Sequence, residues 1–364
     1  MSISFIVKNT CGNARKGVIA TANGQIHTPA FMPVGTSATV KAMLPESLIE
    51  TGTEIILGNT YHLMLRPGED VIAKLGGLHK FMNWNKPILT DSGGFQVMSL
   101  SSLRKITPQG VEFNSHLDGK KYFLTPQKSI DIQYKLGSNI SMIFDECTSY
   151  PVNYEYAKKS MLLSLSWAKE SKDAFNDRKG YGIFGIIQGS TFEDLRKESI
   201  KGLLNIGFDG YAIGSLAVGE GHDKMVEILD FTIPYIPYNK PRYLMGIGKP
   251  IDIIASVKKG GDMFDCVLPT RSGRTGQAFI SGGTINIKNQ QYILDDSPID
   301  KKCKCHTCKN FSRGYLNHLI KNNEILGAML LTWHNIAYYQ NLMQRLRKLI
   351  EEGGIHNFAN TELI

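Results

Sequence analysis

Three cysteines, Cys303, Cys305 and Cys308, form the pattern Cys-x-Cys-x-x-Cys, while Cys11, Cys147 and Cys266 are scattered. In a reducing compartment such spacing reads as metal ligation rather than disulfide bonding, because one tight loop then offers three soft ligands to a tetrahedral zinc ion. A fourth ligand is required. His334, in Leu331-Thr332-Trp333-His334-Asn335, is the expected one, and His306, which has cysteines close on both sides, is the rival. Four protein ligands leave no open coordination position, so the zinc is expected to be structural, one per subunit. A second group of residues is acidic. Asp91 lies in Thr90-Asp91-Ser92-Gly93-Gly94-Phe95-Gln96, and Asp265 is followed by Arg271 and Arg274. Paired glycines allow backbone to approach a flat ligand, and Phe95 offers a stacking face. The arginines suit phosphates beside a reacting sugar. Two carboxylates in one site fit glycosyl chemistry, one attacking an anomeric carbon and the other moving protons. A metal-binding carboxylate pair is the alternative, although no histidine accompanies it.

Elements must bring these residues together. Short apolar runs occur at Phe31–Val34, Glu54–Leu57, Pro87–Thr90, Ile140–Phe144, Ile183–Ile187, Tyr211–Ile213, Arg242–Met245 and Asp262–Phe264. Helical patterns lie between them, at Pro45–Glu50, Pro126–Leu136, Tyr154–Ala168, Phe192–Leu204 and Lys224–Ile228. Strand–helix alternation predicts a parallel sheet, and eight repeats predict its closure into a (β/α)8 TIM barrel; a doubly wound open sheet is the alternative. Polar groups end five of the runs: Asp91, Asp145, Gln188, the Gly214-Ser215-Leu216 segment and Asp265. Any one carboxylate at a strand end is ordinarily a helix cap. In a barrel, however, all five converge on the C-terminal mouth, where active sites of this fold lie.

Local departures from the alternation are expected at Val111–Phe123, a hairpin about Asp118-Gly119, and at Gln277–Lys288, a hairpin turning at Gly282-Gly283 that leads into the cysteine cluster. Ile3–Val7 and Gly17–His27 predict a small N-terminal antiparallel sheet placed to cap the barrel's bottom. The expected organisation is one TIM-barrel domain over residues 1–364, with a zinc-binding subdomain at 277–335.

Composition narrows the function. With 41 Lys and Arg against 33 Asp and Glu, the net charge of +8 favours a polyanionic partner. Lys301, Lys302, Lys304, Lys309, Arg313 and Lys321 surround the cysteine loop, a basic tail that a small-molecule hydrolase would not need. No stretch has the length and apolarity of a membrane span and no leader pattern opens the chain, so a cytoplasmic location is expected.

Taken together, Asp91-Ser92-Gly93-Gly94-Phe95-Gln96, Phe144-Asp145-Glu146-Cys147, Gly185-Ile186-Ile187-Gln188-Gly189, Leu216-Ala217-Val218-Gly219-Glu220, Phe264-Asp265-Cys266 and the Cys303/Cys305/Cys308/His334 set resemble the motifs of bacterial-type tRNA-guanine transglycosylases, the queuine tRNA-ribosyltransferase family. The resemblance runs in consistent order from about Gly17 to Glu351. It implies that Asp265 attacks C1′ of the wobble nucleotide of a tRNA with a G-U-N anticodon (Asp, Asn, His or Tyr type), expelling guanine, and that Asp91 is the general acid/base. It implies further that Asp145, Gln188, Ser215 and Leu216 read the base, that Phe95 and Met245 sandwich it, and that Arg271 and Arg274 hold the anticodon loop. Cys147 and Val218 match pockets that take preQ1, 7-aminomethyl-7-deazaguanine. Phe81, Phe311, Tyr315 and His318 match aromatic positions of a homodimer interface. Ser215 departs from the family, which usually has glycine there; its amide stays available while its hydroxyl narrows the pocket. A catalytically dead RNA-binding relative is disfavoured by the joint presence of Asp91, Asp145 and Asp265.

Overall fold

All eight apolar runs become neighbouring parallel strands of one closed barrel in the computed structural model, which describes residues 2–100 and 104–358. The strands are Ala30–Gly35, Ile56–Gly58, Ile88–Thr90, Ile140–Met142, Gly182–Ile187, Gly210–Ile213, Arg242–Leu244 and Met263–Cys266. The last pairs with the first, from Met263 opposite Ala30 to Cys266 opposite Pro33, which excludes the open sheet. Seven of the eight strands are buried along their whole length, and only the eighth becomes partly exposed, at Asp265 and Cys266. Burial on both faces is why these runs read as continuous apolar segments rather than alternating ones.

Helices Pro45–Glu50 and Pro126–Leu136 begin and end as the sequence predicts. Three others are longer than their apolar patterns: Tyr154–Ala174, Glu193–Ile206 and His222–Thr232. In the first, Ser160, Ser164 and Ser171 lie on the buried face, so small polar residues interrupt the apolar stripe from which its length would be read. Asn153 starts that helix by accepting a hydrogen bond from the Tyr156 amide at 2.8 Å.

The N-terminal strands Ser4–Cys11, Ala14–Thr21 and Gly24–Thr28 form an antiparallel sheet across the barrel's bottom. They attach to residues that immediately precede barrel strands: the Ala22 amide donates to the Gly180 carbonyl at 2.8 Å, and Asn139 donates to the Asn23 side chain at 2.7 Å. Arg15 reaches the same end and pairs with buried Asp262. The expected hairpin at 111–123 is instead two strands of a three-stranded sheet, Arg104–Thr107, Gly110–Asn114 and Lys121–Leu124. Its first strand opens with exposed Arg104 and Lys105 and so lacks an apolar signature. Gln277–Ile280 and Gly283–Asn286 pair as the second hairpin.

Helix Ile325–Glu351 carries His334 within it, nine residues after its first residue. It packs against helix Leu268–Thr275, the carrier of Arg271 and Arg274. Gly273 permits that approach, since a Cβ there would lie 2.7 Å from the Thr332 amide nitrogen. Among the described residues, no helix is long and apolar enough to cross a membrane.

Candidate active site and metal centre

Asp91 follows the third barrel strand and is buried at 8% exposure. Neutral donors hold it: Asn59 Nδ2 at 2.5 Å and Gln96 Nε2 at 2.9 Å on Oδ2, and the Thr60 amide at 2.8 Å on Oδ1. Asn59 and Thr60 follow the second strand, so adjacent strand ends build the cradle. Burial raises the Asp91 carboxyl to about 6 against the lowering pull of these donors.

Asp145 follows the fourth strand and lies at 6% exposure. Gln188, after the fifth strand, donates to its Oδ2 at 2.6 Å, and Ser92 approaches Oδ1 at 3.5 Å. Burial raises this carboxyl to about 6 as well, with Glu146 and Asp91 adding repulsion. Ser215 and Leu216, after the sixth strand, are buried beside it, and the Ser215 hydroxyl donates to Gln188 Oε1 at 2.5 Å.

Asp265 sits within the eighth strand and is half-buried. Tyr243 Oη at 2.6 Å and the Gly246 amide at 2.8 Å both donate to Oδ1. Among the described residues no donor engages Oδ2. Burial raises the Asp265 carboxyl, and the two donors oppose that shift. Tyr243 is itself pushed well above its ordinary range, by burial first and then by the charges of Asp265 and Asp91, so the two carboxylates share one neighbourhood.

Around this cluster, Phe95 presents a ring that is 52% exposed, and Met245 is half-buried against the barrel core. Arg271 is exposed, three residues before half-buried Arg274 on one helix. Burial and the charge of Arg271 lower the Arg274 guanidinium, and its Nη1 is buried without a hydrogen-bond partner. The mouth thus assembles all the polar strand ends read from the sequence. Sequence reasoning missed Asn59 and Thr60, Tyr243 and Gly246, and Arg196, a fully buried residue whose Nε and Nη2 donate to the Ser190 and Gly214 carbonyls at 2.6 and 3.0 Å. Asn59 and Thr60 carried a findable signal, being polar residues at the end of a barrel strand.

The metal centre is as legible in space as in sequence. Ligand atoms of Cys303, Cys305, Cys308 and His334 all lie within 4.8 Å of one another. His334 Nδ1 is 3.6 Å from the Cys305 sulfur and 3.3 Å from the Cys308 sulfur, near the roughly 3.6 Å that a tetrahedral zinc imposes between sulfur and nitrogen. His334 Nε2 meets the Phe279 carbonyl at 2.6 Å; a carbonyl only accepts, so Nε2 carries the hydrogen and Nδ1 presents its lone pair. Backbone amides of Cys305 and Cys308 donate to the sulfurs of Cys303 and Cys305 at 3.5 and 3.4 Å, stabilising thiolate charge. His306 stacks on Trp333 with ring centroids 4.4 Å apart and does not join the set. The residues fit a structural zinc ion. Around the loop, Lys301, Lys302, Lys304, Lys309 and Lys321 are exposed, whereas Arg313 turns inward to Asp295 at 3.1 Å.

Comparison with known proteins gives the family. The family model described as queuine tRNA-ribosyltransferase matches residues 10–363. A queuine tRNA-ribosyltransferase of Rickettsia bellii (strain OSU 85-389) is 61% identical over 356 residues, covering 98% of this chain and 99% of the relative. Proteins of the same description from Rickettsia akari and Rickettsia typhi are 61% and 60% identical, each covering 98% of this chain and 98% and 99% of their own lengths. With similarity of this extent over the barrel, the mouth and the metal loop alike, the chain belongs to the queuine tRNA-ribosyltransferase family.

Proposed function

We propose that the protein exchanges guanine at the wobble position of G-U-N anticodon tRNAs, of the Asp, Asn, His and Tyr type, for preQ1 through a covalent aspartyl–RNA intermediate. One observation carries this reading: Asp265 is held through Oδ1 alone, beside a second carboxyl, Asp91, that burial raises to about 6. Asp265 Oδ2 attacks C1′, forming a C1′–O bond as the C1′–N9 bond to guanine breaks, and the leaving base takes the bonding pair. Asp91 supplies the proton that guanine needs. In the return step preQ1 N9 attacks C1′, the C1′–O bond breaks, Asp265 recovers its carboxylate and Asp91 takes the proton from preQ1. A carboxyl near 6 carries protons in both directions close to neutral pH.

Asp145, Gln188 and the amides of Ser215 and Leu216 read the purine edge in this reading. The Leu216 carbonyl accepts from the aminomethyl group, and Phe95 and Met245 cover the ring faces. Buried polar partners of this kind discriminate strongly, because a wrong base leaves them unpaired. Arg271 and Arg274 hold the phosphates of the anticodon loop. Zinc at the Cys3His set would fix the 277–335 region against helix Ile325–Glu351 and takes no part in the exchange.

The protein acts in this reading as a homodimer through Phe81, Phe311, Tyr315 and His318. Phe81 and Tyr315 are 39% and 41% exposed, and Phe311 stacks on Tyr315 with centroids 5.8 Å apart. Sedimentation at micromolar concentration that shows only monomer, with and without tRNA, excludes the dimer. The central experiment loads tRNA with labelled guanine and adds preQ1. Release of label that requires preQ1 is expected; label that stays in the RNA refutes the exchange.

A further inference from the structure

Two loops beside Asp145 hold their backbone in an unusual way. Ser190, Ser215 and Ala217 have φ of 52°, 52° and 56°, the left-handed region that favours glycine over any residue with a side chain. Arg196 clamps both loops, through the Ser190 and Gly214 carbonyls. The strain at Ser215 accompanies a buried hydroxyl that donates to Gln188 Oε1 at 2.5 Å, while Gln188 Nε2 donates to Asp145 Oδ2 at 2.6 Å. Gly214 completes the clamp, since a Cβ there would stand 2.7 Å from Gln188 Nε2.

The chemistry of the chain Ser215–Gln188–Asp145 has one direction. An ionised carboxylate only accepts, so Gln188 must turn its NH2 toward Asp145, and its carbonyl oxygen then faces Ser215, whose hydroxyl donates. Ser215 takes one of that oxygen's two lone pairs and covers the side on which it sits, so the group the amide offers a ligand is its second N–H. We infer that Ser215 is a positioning residue of this pocket: its hydroxyl withholds the Gln188 acceptor, so that Gln188 meets the bound base as a donor and favours a 6-oxo over a 6-amino purine. This inference rests on the base-exchange reading above and adds to it a determinant of base choice where the family usually has glycine.

The test measures binding of free guanine and of 2,6-diaminopurine to the tRNA-free protein by calorimetry, in the parent, Ser215→Ala and Ser215→Gly. Asp145 contributes alike in all three and cancels from the ratio of affinities. Ser215→Gly relieves the left-handed strain, so it folds, and its melting temperature verifies this. The guanine preference should fall roughly five- to tenfold in both variants, the order of one buried hydrogen bond. In the exchange assay, KM for the incoming base should rise in the same proportion while kcat at saturation holds. An unchanged preference in Ser215→Ala overturns the inference while leaving the exchange reading intact. A parent protein that binds neither base overturns both.

Discussion

The eighth barrel strand carries an aspartate, Asp265, near its top and is preceded by another, Asp262, at its bottom, and the two are treated in opposite ways. Asp262, at the bottom, is fully buried and meets Arg15 through both oxygens, while the Arg242 amide donates to it at 2.7 Å. Arg15 spends its remaining donors on the Tyr238 and Lys240 carbonyls at 2.7 and 2.6 Å. Asp265, three residues later at the mouth, has two neutral donors on one oxygen and no cation in hydrogen-bonding contact among the described residues. Burial raises both carboxyls, yet only at Asp262 do arginine charges pull against it. Charge at the bottom is compensated, which serves folding. Charge at the mouth is left uncompensated, which keeps Asp91 and Asp145 near 6 and leaves Asp265 an oxygen with no donor.

The largest expected effect lies at the mouth. Asp265→Ala should form no covalent RNA adduct and lose on the order of 10⁴-fold or more in turnover. Asp91→Asn should lose about 10²–10⁴-fold, the usual share of acid–base catalysis. Asp91→Asn should melt no lower than the parent, since it removes a buried charge, whereas Asp265→Ala also leaves the Tyr243 hydroxyl and the Gly246 amide without their acceptor and should melt lower. Denaturing gels of protein mixed with tRNA decide the assignment: a conjugate that persists in Asp265→Ala and is missing from Asp91→Asn would reverse the two roles.

The metal loop, like the bottom pair, is held by contacts between distant segments, His334 Nε2 donating to the Phe279 carbonyl at 2.6 Å. His334→Ala should lose zinc and several kcal/mol of stability together, whereas His306→Ala should retain a full complement. Elemental analysis with thermal melting reads both; full zinc in His334→Ala and loss in His306→Ala would overturn the ligand set.

Next comes the bottom pair itself. Asp262→Asn strands Arg15 in a buried site and should cost about 3–5 kcal/mol in urea unfolding. A loss below 1 kcal/mol would mean that Tyr238 and Lys240 alone hold the guanidinium.

Asp145→Asn makes the same chemical change at the mouth and should act with the opposite sign. Its carboxyl titrates near 6 when folded and near 3.8 in the ordinary range, so the protonated form favours the folded state. That contribution is complete below about pH 4 and is lost as pH rises through about 6. Asp145→Asn should therefore stabilise by about 3 kcal/mol well above pH 6 and by nothing near pH 4. Melting curves across that range test it, and a gain that persists at pH 4 would assign the effect to packing rather than charge.

The eight barrel strands, and Asp91, Asp145, Gln188 and Asp265 at or near their ends, are legible in the order of residues alone. Strands buried on both faces must be apolar throughout, so a polar residue that closes such a run stands out. The three cysteines are legible there too, because their ligand geometry is set by a few residues of local chain. Which groups touch, by contrast, follows from the closed barrel. Asp91 is held by Asn59 from 32 residues away and Asp145 by Gln188 from 43. Tyr243 lies inside the apolar run Arg242–Met245 with nothing local to single it out, and Arg104–Thr107 opens with two exposed basic residues and carries no apolar signature. The left-handed backbone at Ser215 and its hydroxyl on Gln188 leave no mark in composition or periodicity. Burial writes itself into local sequence patterns, whereas a hydrogen bond between distant segments depends on distances that only the closed barrel fixes.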